Sequence, residues 1–231
     1  MIKLDHTVTY GWEAAIRGMR NPLNSWDKRD SHYCWEPTLR NCGCSNCELK
    51  SDDVCHAEKY WVGSNDLELM KKLAASGTDH GKFLRMITVT VDVTAPLYWW
   101  KEFDTYKVGT VANSCSTMHK IQAKEFTLED FSTEHLFEES LVAFRNVIHE
   151  LNRHRQNFLF LKDKKYWWQL IQLLPTSYNQ KRTVQLNYAV LKNIYHSRKN
   201  HKLDEWHTFC DWIERLPYSE LITGGKENDK Q

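Results

Sequence analysis

Apolar and polar residues alternate without a break over residues 87–94, where Ile87, Val89, Val91 and Val93 interleave with Thr88, Thr90, Asp92 and Thr94. That period of two predicts a half-buried strand. Thr94 as an N-cap and Pro96 in the first turn then predict a short helix over LYWWKEFDTYK, closed by Gly109. Upstream, IKLDHTVTY predicts a strand. GWEAAIRGMR predicts a helix that turns Trp12, Ala15, Ile16 and Met19 inward, with Arg17 and Arg20 flanking that face and Asn21-Pro22 breaking it. Asn65 and Glu68 have the spacing of a capping box for DLELMKKLAAS, with Gly77 as its stop and Thr78, Asp79 and His80 in the turn before the central strand. Downstream, Leu141, Phe144, Ile148 and Leu151 mark one face of a long helix starting near Ser132. A second helix from Asp163 through YWWQLIQLL to Pro175 reads as buried from its density of large apolar groups. Val184, Tyr188, Leu191 and Tyr195 predict the apolar face of a further helix. The last helix, Asp204 to Leu216, turns Trp206 or Phe209 inward with Trp212, Ile213 and Leu216 and ends at Pro217.

Length and charge narrow the classes. The 231 residues suffice for one sizeable domain, assigned here to residues 1–222, and residues 223–231 offer nothing to bury and read as a flexible tail. A formal net charge of +1, with lysines and arginines scattered along the chain, gives no global field for nucleic acid or an anionic membrane. No apolar run reaches the roughly 20 residues of a membrane span, and the N-terminus lacks a signal peptide's apolar core, so a cytoplasmic location is expected.

Cysteine is distributed unevenly. Five of the seven cysteines fall in residues 34–55, CWEPTLRNCGCSNCELKSDDVC, a segment that reads as an insertion spanning about 32–58. Cys42, Cys44, Cys47 and Cys55 are chemically able to hold a structural Zn2+, although their spacing is not a pair of Cys-x2-Cys knuckles. The other reading is a surface loop of reduced cysteines.

Residues 110–119, TVANSCSTMH, are too polar for a core yet follow the most aromatic part of the chain, a combination that predicts a pocket wall. Arg198 ends a predicted helix. Its guanidinium fork suits a carbonyl or a phosphate oxygen of a ligand, or else caps the helix carbonyls. Asn187 and Asn193 on the same segment are ligand contacts or plain exposed polars. His80 is a ligand contact or a turn histidine bonded to backbone.

Residues 80–119 resemble, in layout, the signature region of the flavin-dependent thymidylate synthases. His80 precedes the strand, Ala95-Pro96 opens the helix, Thr105-Tyr106-Lys107 occupies the family's Arg-His-Arg place, and Cys115 stands where its serine falls. Ser116-Thr117-Met118 replaces Gly-Arg-Tyr, and Arg85-Met86 stands near the family's Glu-His. The literal Arg153-His154-Arg155 lies within a helical run with no strand before it and reads as a solvated helix face. A second stretch is also similar to the family: Leu174-Pro175, Asn187, Asn193 and Arg198 match in kind and spacing, while Ala189 replaces an arginine and Leu203-Asp204 replaces Ala-Gln.

The resemblance implies an α+β fold, a central antiparallel sheet flanked by long helices as in the thymidylate synthase-complementing proteins. It implies FAD held by His80, Thr105, Tyr106, Lys107, Asn187 and Asn193. It implies dUMP or a related pyrimidine nucleotide held by Asn113, Ser114, Cys115, Ser116, Thr117 and Arg198, with Cys115 and Arg198 at the chemistry. Methylenetetrahydrofolate and NADPH would be co-substrates and the assembly a homotetramer. Arginine is missing at Thr105, Thr117 and Ala189, and Lys101, Lys107, Lys181 and Arg182 are the candidates to replace that charge. The alternative is a non-catalytic descendant that binds a nucleotide or a protein.

Overall fold

A computed structural model describes residues 2–33 and 60–224 of the chain. In order, the elements are β1 (Lys3–Tyr10), α1 (Trp12–Arg20), β2 (His32–Tyr33), β3 (Tyr60–Trp61), α2 (Ser64–Ala75), β4 (Thr88–Pro96), α3 (Leu97–Phe103), β5 (Val111–Ser114), α4 (Thr117–Lys120), α5 (Glu138–Leu161), α6 (Lys164–Leu173), β6 (Asn179–Asn187), α7 (Tyr188–Arg198), α8 (Asp204–Glu214) and α9 (Glu220–Thr223). The fold is α+β. Among the described residues no helix is long and apolar enough to cross a membrane. The chain divides into two compact units, Met1–Val8 with Thr90–Leu186 and Ser197–Trp212, and Thr9–Val89 with Asn187–His196 and Ile213–Gln231.

The first unit is built on a four-stranded sheet of order β1-β4-β6-β5, with β5 antiparallel to β6. β4 realises the alternation read from the sequence: Val91, Val93 and Ala95 are at most 1% exposed, and Asp92 and Thr94 between them are half-buried. The strand runs on to Pro96, which itself caps α3, so Thr94 is a strand residue rather than the N-cap. β6 was expected as helix. Residues 179–187 are extended, with Gln180, Val184 and Leu186 buried, so Val184 lies on the strand, and the buried face of α7 is Tyr188, Leu191 and Ile194, without Tyr195.

Two cores serve this unit. On one, Trp99 and Phe103 of α3 meet Trp206 and Phe209 of α8, with ring centroids 4.8 Å apart for Trp99 and Trp206 and 5.5 Å for Trp99 and Phe209. Both Trp206 and Phe209 are therefore inward. The other gathers Ile121, Phe126, Phe131, Ile148, Leu151 and Leu170, where α5 packs on α6. α5 starts at Glu138 and not near Ser132. α6 is not a buried helix: Leu170 is its one buried residue, and Trp168 and Leu173 are 45% and 38% exposed. Of the literal Arg-His-Arg, Arg153 is solvated and pairs with Glu150, whereas Arg155 donates to the Gln122 carbonyl at 2.9 Å.

The second unit centres on α1, with Trp12, Ala15, Ile16 and Met19 buried as expected. Gly11 before it has φ +89°, and a Cβ there would meet the Met86 carbonyl oxygen at 2.0 Å, so only glycine fits. Arg20 does not flank the buried face but is part of it. At 4% exposure its Nε donates to Asp66 Oδ1 at 2.6 Å, its Nη1 to Ser25 and its Nη2 to the Lys28 carbonyl. Burial works to raise the Asp66 carboxyl, but hydrogen bonds from Ser31, Arg20 and the Asp30 amide hold it below its ordinary range. The expected Asn65–Glu68 capping box is absent. The first N–H groups of α2 donate to the Asp30 carboxylate, from Asn65 at 2.8 Å and Asp66 at 3.0 Å. β2 pairs antiparallel with β3 and brackets residues 34–59, so the candidate zinc ligands Cys42, Cys44, Cys47 and Cys55 lie outside the described residues. Among the described residues no group of histidine, cysteine and carboxylate side chains is arranged to hold a metal. Of the expected tail, Thr223 closes α9 and residues 225–231 lie outside the described part.

Candidate functional site

α3 is held at both ends by the surrounding chain. Its first N–H groups have no intrahelical acceptor, and those of Leu97 and Tyr98 donate to the Tyr178 and Thr176 carbonyls, each at 3.0 Å. Its last turn tightens, with Thr105 N–H on Glu102 O at 3.1 Å and Tyr106 N–H on Phe103 O at 3.0 Å. The helix therefore stops at Phe103, four residues before the predicted end at Lys107, and delivers Thr105, Tyr106 and Lys107 as a turn.

Arg198, at the end of α7, meets this turn across 92 residues of sequence. Its Nε donates to the Tyr106 hydroxyl at 2.8 Å and its Nη1 to Glu102 Oε2 at 3.0 Å. The guanidinium carbon lies 4.9 Å from the Trp206 ring centroid and 5.6 Å from that of Tyr106, close enough for cation–π attraction. Glu102 Oε2 is the hub, accepting also from Trp206 Nε1 at 2.9 Å and facing His201 Nε2 at 3.3 Å. His201 Nδ1 accepts from the Leu203 N–H at 3.2 Å, so its lone pair is there and its proton sits on Nε2, toward Glu102. Two of the three guanidinium nitrogens of Arg198 are thus fixed, and Nη2 has no hydrogen-bond partner among the described residues. Arg198 is a positioned donor rather than a helix cap.

The polar segment expected to wall a pocket forms an edge strand and a short helix. Asn113 and Ser114 lie on β5, paired with Thr183 and Arg182, and are exposed, as is Cys115. Ser116 caps α4 by accepting from the His119 N–H at 3.0 Å, and Thr117 opens that helix. Cys115 is fixed through its backbone, its N–H on Lys181 O at 2.9 Å and its carbonyl accepting from Gln180 Nε2 at 2.8 Å. Gln180 in turn accepts from Arg182 Nε at 3.0 Å, and Arg182 Nη1 donates to Asp104 Oδ1 at 2.8 Å while its guanidinium lies 4.1 Å above the Trp100 ring. This relay runs from the Cys115 turn to the residue next to Thr105. No direct hydrogen bond joins Cys115 to Arg198 among the described residues.

Two of the expected replacement cations are already paired. Arg182 is held by Asp104, and Lys181 lies 2.8 Å from Asp92, which Lys181 together with Thr183 pulls below its usual range. Lys101 and Lys107 have no ion-pair partner among the described residues and are exposed. The remaining expected contacts belong to the second unit. His80 is exposed at the start of a 3-10 turn, Asn187 Oδ1 caps α7 by accepting from the Val190 N–H at 3.0 Å, and Asn193 is exposed. Sequence reasoning missed Glu102, His201 and Trp206. An acid between aromatics in WWKEF, and a Trp opening the last helix, were the only signals.

No family model and no curated protein matches the chain by sequence. Solved structures do match over nearly its whole length. Thymidylate Synthase X from Helicobacter pylori, solved with FAD and dUMP, is 15% identical with a TM-score of 0.61, covering 96% of this chain and 97% of that one. The UMP/dUMP methylase PolB from Streptomyces cacaoi, bound with 5-Br dUMP, is 13% identical with a TM-score of 0.59, covering 97% of this chain and 94% of that one. On these likenesses the chain has the fold of the flavin-dependent thymidylate synthases.

Proposed function

We propose that the chain is a flavin-dependent enzyme of the thymidylate synthase type, methylating dUMP or a related pyrimidine nucleotide with FAD, methylenetetrahydrofolate and NADPH. The observation that carries this reading is the state of Arg198, fixed by Tyr106 and Glu102 with Nη2 left to donate. A uracil carbonyl is the acceptor such a donor suits, and drawing electron density into that oxygen makes the ring a better electron acceptor. Glu102 keeps the guanidinium from turning, and His201 and Trp206 keep Glu102 from turning. Orientation is thus built in before substrate arrives, which is where most of the protein's contribution to a cofactor reaction lies.

The residues present fit FAD. The Thr110 hydroxyl is buried without a hydrogen-bond partner among the described residues, in the turn that also carries the open ammonium of Lys107. A polar, anionic cofactor satisfies both, with Thr105 and Tyr106 beside it and Lys101 as a further cation. FAD when bound supplies the hydride chemistry. The same reading makes the assembly a cytoplasmic homotetramer, with Asn113, Ser114, Ser116 and Thr117 as polar contacts to the nucleotide and Cys115 as an exposed thiol beside them.

A second reading rests on the pairing of Arg182 with Asp104 and Lys181 with Asp92, which withdraws two cations from phosphate binding. On it, the chain keeps the fold to bind a nucleotide or a protein without turnover. The absorbance spectrum of the purified protein, an FAD titration, and anaerobic oxidation of reduced flavin by methylenetetrahydrofolate with and without dUMP separate the two. Colourless protein that takes up no FAD sinks the enzyme reading, and dUMP-dependent oxidation sinks the second.

A further inference from the structure

The second unit holds a cleft of about 470 Å³ lined by Arg17, Arg20, Asn21, Trp26 and Arg29, all outside the cluster around Arg198. Its polar atoms differ in how far they are already bonded. Arg20 has all three guanidinium nitrogens bonded, to Asp66, Ser25 and Lys28, and serves as a fixed wall. Arg17 is exposed and has no hydrogen bond or ion pair among the described residues. Arg29 reaches Glu13 at 3.8 Å, longer than a hydrogen bond, with the two side chains 38% and 39% exposed. Most of its donors are open. Trp26 keeps half of its surface exposed while its Nε1–H is taken by Asn21 Oδ1 at 2.8 Å, which fixes the ring and leaves only its face to offer.

We propose that this cleft binds a phosphate ester carrying a planar ring, of which a mononucleotide is the simplest, with Arg17 and Arg29 on the phosphate and Trp26 stacked on the ring. Guanidinium forks match phosphate oxygens two at a time, and a fixed indole face stacks on any base. The volume falls within the range of small-molecule sites. The acids nearby leave the cations free. Asp66 is taken by Arg20, Ser31 and the Asp30 amide, and Glu13 holds Arg29 only loosely.

Isothermal titration of the full chain with adenosine monophosphate, adenosine and inorganic phosphate at fixed salt tests the site. Saturable binding of adenosine monophosphate is expected, weakened roughly tenfold or more by Arg17→Ala and by Arg29→Ala. Glu13→Gln should tighten it by freeing Arg29. Trp26→Ala should weaken the nucleotide and leave phosphate unchanged, and Arg215→Ala, an exposed arginine outside the cleft, should change nothing. Arg17 has no partner to lose, so Arg17→Ala tests binding in an intact fold, and a thermal melt of each variant verifies this. The proposal is overturned by no saturable binding, by binding that the Arg17, Arg29 and Trp26 variants leave intact, or by an equal loss in Arg215→Ala. It is overturned as a nucleotide site if phosphate alone binds as tightly as the nucleotide.

Discussion

Asp66→Ala should be among the most damaging single changes in the second unit. The carboxylate is 0% exposed and takes four hydrogen bonds: Arg20 Nε at 2.6 Å, the Asp30 and Ser31 N–H groups at 3.1 and 3.0 Å, and the Ser31 hydroxyl at 2.6 Å. Alanine leaves the Arg20 guanidinium, itself 4% exposed, without an anion and strands the donors beside it. Removing one partner of a buried pair costs about 3–5 kcal/mol, because the surviving charge stays desolvated. For a chain of this size each kcal/mol moves Tm by roughly 2–4 °C, so a fall of about 6–20 °C is expected in calorimetry. Arg20→Met removes the charge as well as the fork, so the double variant should melt above the sum of the two single effects. If Asp66→Ala melts within about 2 °C of the parent, or the two changes simply add, the pair does not hold α1 to α2 and the reasoning fails.

Three further outcomes follow from other parts of the molecule. The Asp66 carboxyl lies below its ordinary value of 3.8, so its stabilisation is full above that pH and is lost as pH falls through the depressed value; acid titration of Asp66→Asn should show a flatter acid limb than the parent, and identical limbs would contradict this. Leu170→Ala, at 0% exposure between α5 and α6, should cost about 2–5 kcal/mol in urea denaturation, whereas Trp168→Ala on the same helix should cost less than about 1 kcal/mol; the reverse order would refute the burial assignment. Arg198→Lys should weaken pyrimidine nucleotide binding roughly tenfold or more in a titration, since an ammonium cannot bond Tyr106 and Glu102 and still donate; full retention by lysine would show that charge alone suffices.

The sequence made β1, α1, β4 and α8 legible because each shows one period over enough residues. β6 was misread for a physical reason. Strand passes into helix at Asn187 and Tyr188 with no turn between, so Val184, Leu186 and Tyr188 alternate while Val184, Tyr188, Leu191 and Tyr195 also satisfy helical spacing. Apolar density predicts a buried α6, but density carries no direction: Trp167 packs against the core while Trp168 stands open. Arg20 follows Ile16 by four residues on the apolar stripe, a position where a charge signals a buried partner, yet nothing local names Asp66. At the candidate site, Arg198 and Tyr106 were found through family layout. Glu102, which orients Arg198, needed the tertiary structure, because a carboxylate in a helix is ordinarily solvated.

Trp99 and Trp100 lie 4.9 Å apart with their planes at 73°, and Trp206 lies 4.8 Å from Trp99 at 44°. Indoles this close and skewed share their excited states, so the ellipticity of the folded chain should carry an exciton couplet superimposed on the backbone signal. Helix content taken from that spectrum will be misjudged, and the couplet itself becomes a built-in optical gauge of whether α3 and α8 are docked.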